Sequence, residues 1–126
     1  MDRIDMFVEV PQIKYAEIVS EHPEELQKEQ AMRDRVASAR DIQHKRFAHA
    51  RTNSQMEIPE IKKYCQITGQ SEDIMKKYVD SGRLSVRGYH RVLKLARTIA
   101  DLEHSNPISF EHISEALSYR IKEEIT

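Results

Sequence analysis

Glycine is scarce in this chain: Gly69, Gly82 and Gly88 are the only three among 126 residues. A phosphate-cradling loop of the GxxxxGK(S/T) type needs a fixed glycine spacing that these positions cannot meet, so nucleotide hydrolysis by that route is excluded for these residues alone. Cysteine is scarcer still. With Cys65 alone no internal disulfide can form, which fits a reducing, cytoplasmic setting, and the thiol is expected in the core. The six histidines are scattered among basic and polar residues, so no metal site is expected, and His90 and His112 are read as surface or boundary side chains. Long apolar runs are missing too. None approaches the roughly 20 residues that span a bilayer, so no membrane partner is expected, and no secretory signal is read at the start. Charge of one sign is not in excess: 20 Lys and Arg stand against 21 Asp and Glu, for a formal net charge of −1. Any affinity for nucleic acid must then come from a local patch.

The most strongly patterned stretch runs from Leu84 to Leu102 and reads as one helix. Val86, Tyr89, Val92, Leu93, Leu95, Ala96, Ile99, Ala100 and Leu102 fall on one broad arc, and Arg87, His90, Arg91, Lys94, Arg97, Thr98 and Asp101 on the other. An apolar arc this wide touches several neighbours, as the central helix of a small bundle does. Ser85 is placed as its N-cap. Arg87 then sits in the first turn, where the helix dipole disfavours a cation by a few tenths of about one kcal/mol when the group is solvated.

Around this helix the chain divides into short elements. Ile4, Met6, Val8 and Val10 alternate as one face of a strand that Pro11 ends. A lone strand leaves its N–H and C=O groups unpaired, and together with the abrupt start it is expected in a piece of a longer protein. A turn follows around Tyr15 to Val19. A helix is predicted over 23–47, opened by Pro23-Glu24-Glu25 and closed by His44, Lys45 and Arg46 as the dipole prefers; its apolar positions are sparse. Residues 51–55 are polar and non-periodic, a loop. A short helix is predicted over 58–65. The next one is capped by Ser71, buries Ile74, Met75, Tyr78 and Val79, and ends at Gly82 in a left-handed conformation. After Asn106-Pro107, Ser109 caps a last helix with Ile108 and Ile113 as a hydrophobic staple; Phe110, Ile113, Ala116, Leu117 and Ile121 form its buried face. The fold class is all-α, a small helical bundle preceded by one short strand.

The residues leave the basic stripe of Arg87, Arg91, Lys94 and Arg97 open to two readings, a solvated helix face or a surface facing phosphates.

Three runs add a resemblance. Asp2-Arg3-Ile4-Asp5 with Val8-Glu9-Val10-Pro11 resembles the end of the ATPase core in magnesium-chelatase-like AAA+ proteins, specifically their competence-associated branch. The run from Ser85 to Leu102, including YHRVLKLARTIADL, and the run Ile113 to Arg120 resemble that branch's C-terminal helical domain. The resemblance covers nearly the whole chain and implies that residues 1–11 are the last core strand and 12–126 the lid. It implies that Arg3 is an arginine finger reaching a neighbour's ATP site, and that Arg87 is a second-sensor arginine touching the nucleotide of its own subunit. Arg91, Lys94 and Arg97 remain a possible basic surface. The 51–56 loop departs from the Asn-Ala-Arg-like run more common in the family, so no role carries over to it.

The function so implied is that of a lid in a hexameric ATPase that remodels DNA during competence. ATP and Mg2+ are bound in the longer protein and not by this piece, whose own partners are the ATPase core, further copies of the protein and DNA. The alternatives are the motor subunit of a metal chelatase and a free-standing helical adaptor using the basic stripe to bind protein or nucleic acid.

Overall fold

The structure, a computed structural model, describes Met6, residues 23–48 and residues 51–125, with 23–25 and 121–125 as backbone only. Arg3, the strand expected over 4–10 apart from Met6, and the turn around 15–19 lie outside the described residues. What is described is all-α. Five helices follow one another: α1 (Pro23–Phe47), α2 (Ile58–Tyr64), α3 (Gln70–Asp80), α4 (Val86–Leu102) and α5 (Phe110–Ile125), with a 3₁₀ turn at Asn53–Gln55 between the first two.

The helix predicted to be central is so: α4 packs against α1, the 3₁₀ turn, α2, α3 and α5. Val92, Ala96 and Ala100 lie fully buried on it, with Leu93 and Ile99 beside them. The small side chains at 96 and 100 let neighbouring helices approach, and Ile113, Ala116 and Leu117 of α5 fill the opposing face. Ser85 caps α4 as predicted, its Oγ accepting from the Gly88 N–H at 3.0 Å. A Cβ at Gly88 would be a tight fit, 3.0 Å from Leu84 Cδ1 and 3.2 Å from Ser85 Oγ, so these side chains would have to give way slightly.

The α1 span matches the predicted one, but its two halves differ. Residues 26–37 are all exposed, carrying surface ladders such as Arg33 to Glu29 at 3.1 Å and Gln30 to Asp34 at 3.0 Å. Burial begins at Ala39 and continues through Gln43 to Phe47, one face of the last turns. The Phe47 ring meets Tyr64 of α2 edge-on at 5.6 Å, and the Arg51 guanidinium lies 5.2 Å from the centre of the Phe47 ring.

Three local expectations need correction. Ser71 does not cap α3; Gly69 does, two residues earlier, so the helix begins at Gln70 and Ser71 is buried in its first turn. Phe110 is exposed, because the staple pair Ile108 and Ile113 already fills the entry to α5. His112 is neither surface nor boundary. It is buried at the third position of α5, where Nδ1 accepts the Ser109 backbone N–H at 2.9 Å and Nε2 lies 2.7 Å from Glu103 Oε2. A ring nitrogen thus supplies the reciprocal half of a capping box. Gly82 ends α3 as predicted, at φ +76°, with Arg83 donating back to the Tyr78 carbonyl at 3.0 Å.

Candidate functional site: the two ends of helix α4

The polar residues of α4 separate into two environments. Near its C-terminal end, Asp101 is fully buried. Arg46 from the last turn of α1 grips it with both guanidinium nitrogens, at 2.7 Å to Oδ1 and 2.9 Å to Oδ2. Asn53 of the 3₁₀ turn donates to the same carboxylate at 2.8 Å, to Thr98 at 3.1 Å, and accepts from Arg46 at 2.9 Å. Gln43 closes the network by accepting the Asn53 backbone N–H at 2.9 Å. The hydrogen bond with Asp101 holds the Arg46 guanidinium above its ordinary pKa.

Arg97, expected on an exposed basic side, is only 5% exposed. It reaches under the end of α4 and donates to the carbonyls of Ser105 and Asn106, each at 2.7 Å. Its Nε lies 3.3 Å from Asp101 Oδ1 without the alignment of a hydrogen bond. Burial pushes this guanidinium below the ordinary arginine value, and Asp101 opposes that shift. The cluster therefore ties α1, the 3₁₀ turn and the chain after α4 to one carboxylate, and its charges are spent internally. Cys65 is in the core as predicted; burial pushes its thiol up to about 11, so it is no thiolate nucleophile at neutral pH.

At the N-terminal end, α4 borders an open groove of about 870 Å³. Arg87, His90, Arg91 and Lys94 line one wall together with Val86 and Leu95; Met56, Ile58, Pro59 and Ile61 line the other. The second wall is held in place by Arg51, whose guanidinium spans both Glu60 carboxylate oxygens at 2.9 Å, and by Glu60 accepting the Glu57 N–H at 3.1 Å. Lys94 bridges the walls by donating to the Ser54 carbonyl at 3.1 Å. Arg87 is exposed, and among the described residues it makes no hydrogen bond or ion pair.

The structure thus brings Arg87, Arg91 and Lys94 to one groove and removes Arg97 from it. Sequence reasoning missed Arg46, Asn53 and Asp101. One signal was available, since an acid in the last turn of a helix is as ill-placed in the dipole as Arg87 is in the first. Among the described residues no group of three or more His, Cys, Asp and Glu is placed to hold a metal, and no helix is long and apolar enough to cross a membrane.

Comparison with known proteins places these elements in a lineage. The family described as magnesium chelatase, subunit ChlI C-terminal, matches residues 27–120, which include most of α1 and α5 and everything between. The uncharacterized protein YifB of Salmonella typhimurium is 34% identical over 120 residues, the competence protein ComM of Haemophilus influenzae 33% over 120, and YifB of Escherichia coli 36% over 123. Each alignment takes in 95% of this chain but only 23% of the relative, so the chain spans about a quarter of the length of these proteins.

Proposed function

The chain belongs to the magnesium chelatase ChlI C-terminal family, and from that premise we propose that it is the helical lid of an AAA+ ATPase, with Arg87 contacting the phosphates of bound ATP. The observation that carries this reading is the state of Arg87. It stands exposed in the first turn of α4 with no partner among the described residues, at a helix terminus whose dipole favours an anion. A guanidinium in that position suits a polyphosphate, to which it can donate two parallel hydrogen bonds. ATP with Mg2+ would supply that group in the longer protein. Arg87, with His90 and Arg91 behind it, would bind and orient the phosphates, and lid angle would follow nucleotide state.

Arg3 takes the complementary part in the same proposal, as an arginine finger acting across the interface of a hexameric ring whose sites are completed by the ATPase core. The output is remodelling of DNA, and the 33% identity to a protein named for competence supports that branch. The family name favours a second reading, the motor of a metal chelatase acting on a porphyrin-handling partner. Stimulation of ATP turnover by DNA, and not by such a partner, separates the two.

In the longer protein Arg87→Ala should lower ATP turnover by about tenfold or more, the scale expected when a preorganised charge is removed from a phosphoryl-transfer site. Unchanged turnover would overturn the sensor role. For Arg3, mixing Arg3→Ala subunits with subunits lacking the phosphate-loop lysine should restore part of the activity, because an intact finger then faces an intact phosphate loop at some interfaces. No recovery in any mixture would reject action in trans.

A further inference from the structure

The face of α4 that is buried at Leu93, Arg97 and Asp101 continues toward the N-terminus through His90 and Val86, at the spacings i, i+4, i+7, i+11 and i+15 from Val86. At the C-terminal end this face is covered by α1 and the 3₁₀ turn, whose Arg46 and Asn53 reach Asp101. At the N-terminal end the same face opens into the groove. Two β-branched side chains are left in water there, Val86 at 69% exposure and Ile58 on the opposite wall at 51%. Solvated apolar side chains rimmed by like charges mark a surface that is covered by something else.

We propose that this groove is the docking site for a segment of a partner polypeptide that carries acidic side chains among apolar ones. Charge complementarity argues for the acids: among the described residues Arg87, Arg91 and Lys94 border the groove, against Glu57 as its one carboxylate. Val86 and Ile58 argue for apolar anchors seated between those charges. Among the described residues the lining holds no Phe, Tyr or Trp, the rings on which bases of single-stranded nucleic acid stack best, which favours a polypeptide over that class of ligand. From Val86 to Thr98 the groove wall runs about 18 Å, enough for five or six residues of extended chain at about 3.3 Å each. The inference goes beyond the nucleotide reading: the two share Arg87, His90 and Arg91, but the docking site rests chiefly on Ile58, Val86 and Lys94, which the nucleotide reading does not use.

The test is fluorescence anisotropy with the 126-residue chain and three labelled probes: a short peptide with two leucines among glutamates, the same peptide with lysine for each glutamate, and a short oligothymidine. The glutamate peptide should bind saturably, and the other two should not. Ile58→Asp and Val86→Asp should each weaken that binding about tenfold or more, losing an apolar contact and adding a like charge. Both positions open a helix, where an acid is favoured, so melting temperatures should stay at the wild-type value. Absent binding of the glutamate peptide, equal affinity of wild type and both variants, or tighter binding of oligothymidine would each overturn the proposal. Arg87→Ala keeps the two readings apart: peptide binding that still depends on Ile58 in this variant leaves the docking site standing even if the nucleotide role fails.

Discussion

The two ends of α4 each carry a charge that the helix dipole disfavours, and the protein treats them in opposite ways. Asp101, an acid in the last turn, is surrounded: two arginines and an asparagine from three separate segments converge on it, and no water reaches it. Arg87, a cation in the first turn, has nothing of the kind among the described residues. A misplaced charge that is answered internally holds a fold together. One that is left unanswered points outward, to a group that another molecule brings. The contrast can be tested by substitutions whose effects on stability fall in a definite order.

Asp101→Asn should have the largest effect. It removes the only carboxylate, among the described residues, in contact with Arg46 and Arg97 and leaves one buried and one largely buried guanidinium beside a neutral amide, a change that typically costs about 3–5 kcal/mol. Since a domain of this kind has about 5–15 kcal/mol to lose, urea unfolding should show a midpoint shifted far downward or no cooperative transition at all. A midpoint close to wild type would mean that the cluster is a spectator and that packing of α5 on α4 suffices.

Asn53→Ala should rank next, at about 1–3 kcal/mol, because the Asp101 oxygen and Thr98 hydroxyl it serves are left short of a donor in a buried setting. The bond from the Asn53 backbone to Gln43 survives the change, so the 3₁₀ turn keeps one of its anchors. Denaturation of Asn53→Ala beside Asn53→Asp would sharpen the point, since the latter sets a second acid against Asp101 and should be the worse of the two.

These two residues also show how far the sequence could be read. The helices are legible because apolar side chains recur at helical spacing and because Ser85 and Gly82 punctuate them in ways that local hydrogen bonds and backbone sterics dictate. Periodicity reports which arc of α4 is apolar, but not how far along its length each neighbour extends. Arg97 and Lys94 look alike on the polar arc, yet the chain that follows α4 folds back over Arg97, which donates to Ser105 and Asn106, while Lys94 borders the groove. Asn53 lies in a turn with no period at all, and its importance comes from contacts with residues 45 and 48 positions away, which no local pattern encodes.

A smaller effect should appear with pH on the outer wall of the groove. The Arg51 guanidinium, and after it the Glu57 N–H, hold the Glu60 carboxyl below the ordinary value near 4.5. A carboxylate lowered in this way contributes stability that is present above its unfolded value and is lost as pH falls through its folded one. Wild type should therefore exceed Glu60→Gln in stability at neutral pH, and the two should converge as the solution is acidified below that range. Solvent reaches this pair, so the gap is expected to be narrow and to shrink further with salt.

Arg87→Ala should change stability least, by no more than about 0.5 kcal/mol, since no described partner is lost and relief from the dipole acts in the stabilising direction. The same substitution is expected to be the most damaging of the four to ATP turnover in the longer protein relative to its effect on folding. That inversion is the sharpest form of the comparison. If thermal unfolding showed Arg87→Ala to be as unstable as Asp101→Asn, Arg87 would have an internal partner after all, and the two ends of α4 would be doing the same job. If it unfolds like wild type, the exposed guanidinium is held in reserve for a ligand, and the buried cluster at the other end is what keeps α4 fixed while it waits.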